Sequence, residues 1–203
     1  MTLRIIGRSS SHFTRTVRVI ARECGLVHEF RPVLDLMSQS ASDFGDNPAL
    51  KLPILETPTG AWFGALNISR ELARRAPEPV HVLWPEDLLN RIAANAQELV
   101  LQAMATEVSL ILRNMPAPGS NPVDDKARAS LTNSLAWLEA QLPAAIRTLA
   151  DRTVSFLEVS SFCFIRHLEF RKVVDTSAYP NLRAFCEAYA NRPSVRETEY
   201  QFD

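Results

Sequence analysis

Apolar positions along this chain change their spacing about a third of the way through. The first part mixes short apolar runs with one helical stripe, and the rest is helical throughout. Leu3 to Ile6 is a short apolar run broken by Gly7 and by Ser9, Ser10 and Ser11, which predicts a strand and a turn. From His12 to Cys24 the residues Phe13, Val17, Ile20, Ala21 and Cys24 share one helical face, and Gly25 stands at the C′ position. Val27 to Leu34, with Val27, Phe30 and Val33, predicts a second strand, so strand, helix and strand imply a parallel pair joined by a right-handed crossover. Asp35 to Asp46 is polar and weakly patterned, which suits a short helix or an irregular loop. Leu52 to Leu55 and Ala61 to Phe63 flank the turn residues Thr57, Pro58, Thr59 and Gly60, the pattern of a β-hairpin. Pro53 cannot donate to a ladder, so it belongs at a strand start or edge, where a cis peptide bond is accessible. Leu66, Ile68 and Leu72 then follow helical spacing as far as Arg74 and Arg75, and Pro77 stops the helix.

These elements make a βαβαββα unit over residues 1–76. Residues 77–86, with three prolines between Pro77 and Pro85, predict a linker. Residues 87–203 lack strand-like alternation and read as all-helical, so the fold class is α+β. A long helix runs from Asp87 to about Asn114, residues 115–122 form a loop, and a second helix over Asp124 to Leu142 is ended or kinked by Pro143. Ser155 and Glu158, ahead of Val159, Phe162, Ile165 and Leu168, have the spacing of a capping box. The serine cap is worth about 1 kcal/mol.

Composition excludes more than it selects. A net charge of -1 and a pI near 6.4 give no field for nucleic acid or an anionic membrane. No apolar run reaches the roughly 20 residues of a membrane span, and the short apolar start is too brief for a signal peptide, so a cytoplasmic location is expected. Cys24, Cys163 and Cys186 are odd in number, far apart and without metal spacing, which predicts reduced core thiols and no metal. Trp62, Trp84 and Trp137 read as large packing residues.

Several segments together resemble the glutathione transferase superfamily. They are Asn47-Pro48, Lys51-Leu52-Pro53-Ile54-Leu55, the Gly60 turn, the helix ending at Leu72-Ala73, the Ser155 box with Val154 and Val159, Tyr179 to Leu182, and Asn191-Arg192-Pro193-Ser194-Val195. The resemblance runs in order over nearly the whole chain. It implies a thioredoxin-like glutathione-binding domain followed by a helical domain, in a serine-type bacterial member like the zeta and theta classes. Its implied co-substrate is glutathione and its implied partners are a small electrophile and a second copy of the chain.

The implied chemistry is activation of a thiol. A free thiol titrates near about 8.5, so a hydroxyl donating to sulfur at a helix N-terminus makes it a better nucleophile at neutral pH. By register with Val17-Arg18, Ser11 falls on the family's catalytic serine, with Ser10 or Ser9 as alternatives if the loop differs by a residue. The same triplet also suits a plain helix N-cap. The resemblance assigns Leu52, through its backbone, and Pro53, as a cis residue, to the cysteinyl part of glutathione, and places Lys51 near the glycyl carboxylate. Where the family carries Glu-Ser, this chain has Gly64 and Ala65, whose N–H groups could still hold the γ-glutamyl carboxylate. Asn67 and Ser69 are nearby polar side chains that could compensate. His12 is expected to be an exposed first-turn residue without an acidic partner. An electrophile pocket would draw on Met104, Val108, Ile111 and Arg113, a stripe that equally suits bundle core.

Overall fold

A computed structural model describes residues 3–114 and 121–203. β1 (Leu3–Gly7), α1 (His12–Glu23), β2 (His28–Pro32), β3 (Ile54–Thr57), β4 (Gly60–Phe63) and α2 (Ala65–Arg74) form the first part, with a 3-10 turn at Ala41–Phe44 between β2 and β3. The sheet order is β2-β1-β3-β4, with β1 parallel to β2 and antiparallel to β3, and β4 antiparallel to β3. This is the expected thioredoxin-like arrangement. β2 is shorter than its apolar pattern suggested: Val27 and Leu34 lie outside it and are exposed, because pairing with β1 stops at Gly7 opposite Pro32.

Successive β1 residues serve opposite faces of the sheet. Ile5 joins Val17, Ile20, Leu55, Ile68 and Leu72 in the large core under α1 and α2. Ile6 joins Val33, Phe44 and Ile54 in a small separate cluster beneath the segment between β2 and β3. α1 ends as the sequence predicts: Gly25 adopts φ +64, its N–H bonds the Arg22 carbonyl at 3.0 Å, and the Leu26 N–H bonds the Ala21 carbonyl at 2.9 Å. These two bonds cap the last turn in a left-handed closure that glycine adopts without strain.

Residues 77–86 are less plain than a linker. Val82–Leu83 forms β5, which pairs in parallel with β6 at Val154–Ser155, so the second part of the chain also holds a strand. A 3-10 turn at Pro85–Asp87 follows, and α3 spans Arg91–Asn114. It starts later than expected because the Asn90 side chain accepts from the Ile92 N–H at 2.8 Å and caps it there. The predicted loop at 115–122 falls mostly outside the described residues.

α4 (Pro122–Arg147) passes through Pro143 rather than ending at it. A proline leaves the carbonyl four residues earlier without its helical donor. Here that carbonyl, of Glu139, accepts from the Asn181 side chain at 3.1 Å. The Glu139 carboxylate in turn accepts the N–H groups of Asn181 (2.9 Å) and Leu182 (3.0 Å) at the start of α6, so one residue serves both helices.

α5 (Phe156–Arg171), α6 (Pro180–Tyr189) and α7 (Pro193–Arg196) complete the chain. The capping box expected at Ser155 is not formed. Ser155 is buried in β6 with its hydroxyl unpartnered, and the Glu158 carboxylate is taken by Arg152 at 2.6 Å through two nitrogens. A guanidinium fork outcompetes a lone backbone N–H for a carboxylate. The Arg192-Pro193-Ser194 motif clasps Glu23 at the end of α1: Arg192 donates to both carboxylate oxygens at 2.8 and 2.6 Å and the Ser194 hydroxyl adds a third bond. All three cysteines are free and buried, and the three tryptophans are half-buried against the large core. Among the described residues no helix is long and apolar enough to cross a membrane.

Candidate functional site

The strand registers bring the sequence-predicted segments to one end of the sheet. β1 leaves its pairing at Gly7 beside Pro32, while Ile6 faces Ile54 and Ile54 faces Phe63. The loop before α1, the Leu52-Pro53 bend and the start of α2 therefore share that end. Gly7 makes the turn into α1 possible, because a Cβ there would lie 2.5 Å from the Thr14 side chain.

Ser11 is the N-cap of α1, half-buried, with its hydroxyl oxygen accepting from the Thr14 N–H at 3.3 Å. A serine oxygen that accepts in this way keeps its own proton to donate. Capping therefore leaves the Ser11 hydroxyl a proton to donate elsewhere. Ser9 and Ser10 are buried and differently engaged. The Ser9 N–H donates to Asp203 Oδ2 at 2.8 Å, and the Ser10 carbonyl accepts from His167 Nε2 at 2.8 Å. Arg8 braces the same loop, donating to the carbonyls of Val33 (3.0 Å) and Leu34 (2.9 Å) and pairing with Asp203 at 3.2 Å.

The Leu52-Pro53 peptide is cis. Asn47, nearly fully buried, shapes the approach to it: its Nδ2 donates to the Lys51 carbonyl at 2.7 Å and its Oδ1 accepts from the Ala49 N–H at 3.0 Å. Lys51 is exposed, Leu52 half-buried and Pro53 buried. Gly64 is the N-cap of α2 with φ +81 and offers no side-chain cap, so the first-turn N–H groups beginning at Ala65 carry only the helix's own positive end. Of the two candidates for compensation, Ser69 is fully buried and Asn67 donates to the Phe63 carbonyl at 3.3 Å. Of the residues suggested for an electrophile pocket, Met104 is in the core and Arg113 pairs with Asp124 at 2.8 Å.

His12 departs most from expectation. It is fully buried, and two further buried residues converge on it, Glu107 from α3 and His167 from α5. His12 Nδ1 lies 2.9 Å from His167 Nδ1 and 3.3 Å from Glu107 Oε2, and His167 Nδ1 lies 2.8 Å from Glu107 Oε1. Burial lowers the affinity of His12 for a proton more than Glu107 restores it. At Glu107, burial alone would raise the carboxyl's pKa, but the two neighbouring histidines outweigh it and hold the group below its ordinary value. Sequence could not pair these residues, because the contacts span 60 and 155 positions.

Residues 10–75 match the family model described as the N-terminal domain of glutathione S-transferase. Solved structures extend the likeness to the whole chain. A glutathione S-transferase from Methylobacillus flagellatus KT with glutathione bound is 20% identical, with a TM-score of 0.78, covering 98% of this chain and 100% of that one. A glutathione transferase family member from Pseudomonas fluorescens Pf-5 with bound glutathione is 22% identical, with a TM-score of 0.79 and the same coverage. A maleylacetoacetate isomerase from Anaeromyxobacter dehalogenans 2CP-1 is 24% identical, with a TM-score of 0.64, covering 98% and 90%. A comparison with curated proteins gave no match. The chain has the fold of these bacterial proteins, an α+β fold with a thioredoxin-like first part.

Proposed function

We propose that this chain is a glutathione transferase-like enzyme that binds glutathione at the shared sheet end and activates its thiol for attack on, or isomerisation of, a small electrophile. The observation that carries this reading is the convergence of a helix-capping serine hydroxyl, a cis-proline bend and an uncapped helix N-terminus at one end of the sheet. Ser11 donates its free proton to the sulfur while the first turn of α1 favours the anion. The backbone of Leu52, in the bend ahead of Pro53, pairs with the cysteinyl unit, and Lys51 attracts the glycyl carboxylate as a point charge. The N–H groups at Gly64 and Ala65 hold the γ-glutamyl carboxylate by themselves, so binding is weaker than with a full Glu-Ser pair. Division into residues 1–76, 77–86 and 87–203, homodimer assembly and a cytoplasmic location belong to the same proposal.

The test is the ultraviolet absorption of the thiolate of bound glutathione, read beside retention on immobilised glutathione. Retention by wild type, with a band that Ser11→Ala abolishes, supports the reading. A folded wild type that is not retained, or a band unchanged by Ser11→Ala, refutes it.

A further inference from the structure

We propose that His12, Glu107 and His167 form a binding site for one divalent transition-metal ion, of which zinc is the type, tying α1 to α3 and α5. The proposal stands apart from the glutathione reading, since none of the three side chains is assigned to that ligand.

The first observation is the shape of the cluster. Three buried residues bring four potential ligand atoms together: the two Nδ1 atoms lie 2.9 Å apart, Glu107 Oε1 is 2.8 Å from His167 Nδ1, and Glu107 Oε2 is 3.3 Å from His12 Nδ1. Zinc bonds of about 2.0–2.2 Å place neighbouring donors about 2.9 Å apart at right angles and about 3.4 Å apart in a tetrahedron. The three observed separations, 2.8, 2.9 and 3.3 Å, lie in or next to that range.

The second observation is that, with Glu107 ionised and both imidazoles neutral, protons alone leave the cluster in conflict. Each Nδ1 carries at most one proton, and the carboxylate, when ionised, carries none. If both Nδ1 atoms are protonated, two N–H groups confront each other across 2.9 Å; if only one is, an imidazole lone pair faces an anionic oxygen or another lone pair. Glu107 Oε2 accepts no hydrogen bond although it is buried. A buried carboxylate oxygen left without a partner is costly, and a divalent cation uses that lone pair together with both imidazole lone pairs.

The third observation fixes a tautomer. His167 Nε2 lies 2.8 Å from the Ser10 carbonyl, which can only accept, so Nε2 carries a proton, and in the neutral ring Nδ1 is left as the lone-pair donor. Metal-bound histidines are held in this way, with the far nitrogen donating to a backbone carbonyl or carboxylate. Two imidazoles and a glutamate form a donor set that zinc takes. The three residues are buried, so the ion would bridge helices rather than meet bulk solvent. Through the Ser10 carbonyl it also steadies the loop that ends at Ser11.

Chelator-treated full-length protein is titrated with Co²⁺ and followed by its visible absorption, then with Zn²⁺ in competition. One equivalent of Co²⁺ is expected per chain, displaced by Zn²⁺, with an upward shift in melting temperature. Glu107→Gln and His167→Ala are expected to weaken binding by more than about a hundredfold, above the loss seen for outer partners of metal ligands. His81→Ala, which alters an exposed histidine outside the cluster, leaves binding unchanged. Because the buried variants can fail to fold, X-ray absorption of Zn²⁺-loaded wild type gives a second readout, expected to show two imidazoles and a carboxylate. Absence of saturable one-to-one binding by folded wild type, retention of binding in Glu107→Gln, or a different ligand set overturns the proposal.

Discussion

Replacing Glu23 by glutamine tests how the chain's closing motif is held. Glu23 is 11% exposed in its side chain and Arg192 is 32% exposed, so the pair is shielded on one side and wet on the other. Glutamine keeps the shape but turns an anion with three donors around it into a neutral group, one of whose ends is itself a donor facing a guanidinium. A charge-assisted hydrogen bond contributes about 1.5–3 kcal/mol, and a buried pair broken from one side costs about 3–5 kcal/mol. Discounting for the solvent around Arg192, the expected loss is about 2–3 kcal/mol. At roughly 2–4 °C per kcal/mol for a chain of this size, the melting temperature falls by about 5–10 °C. The pH dependence gives an independent check. Burial alone would raise the Glu23 pKa, but the bonds from Arg192 and Ser194 outweigh it and bring it below the ordinary 4.5. A carboxyl depressed in the folded state contributes stability that is present above its unfolded pKa and lost as pH falls through the folded one. The gap between wild type and Glu23→Gln, measured by urea unfolding, therefore closes as pH drops from 7 towards 3. A loss at pH 7 below about 0.5 kcal/mol, the scale of a surface ion pair, would refute the reasoning, as would a gap that stays constant with pH.

Other outcomes follow from the same geometry. Ser11→Ala should lose about 1 kcal/mol with the cap, whereas Ser11→Gly should lose only a few tenths and still lack the hydroxyl, so the glycine variant separates stability from thiol activation when thermal melts are set beside the thiolate band. Asn181→Ala should cost about 1–2 kcal/mol by leaving the Glu139 carbonyl unpaired opposite Pro143, and Asn181→Ala combined with Pro143→Ala should recover part of it in urea unfolding. Gly7→Ala should destabilise by at least about 1–3 kcal/mol, because the added methyl meets the Thr14 side chain, while Gly7→Ala with Thr14→Ser is less severe.

The fold was legible in the chain to the extent that it is written in periodicity and turn chemistry. Leu3 to Ile6, the Phe13-Val17-Ile20 stripe, Gly25 and the turn at Gly60 each led to the element found there. What escaped was competition between distant groups for one partner. Ser155 and Glu158 have capping-box spacing, yet Arg152 takes the carboxylate. Pro143 reads as a helix end or kink until Asn181, on another helix, supplies the missing donor. At the candidate site, the serine loop, the Leu52-Pro53 bend and the start of α2 carry local signals. His12 does not. Its polar type and first-turn position suggest exposure, and only the packing of α3 and α5 over it places it against Glu107 and His167.

The two faces of the sheet are unequally guarded. One lies under α1 and α2, while the other is closed by an irregular segment whose chief plug is the Phe44 ring, resting on Ile6, Val33 and Ile54. Lifting that flap would bare only a thimbleful of oily surface and would disturb neither helix, so deuterium should invade residues 33–50 well before it reaches α1. Asn47 rides on the same flap and props the bend at Leu52. On the glutathione reading proposed above, a tripeptide seated there would hold the flap shut, and the breathing of this thin side would govern how readily it leaves.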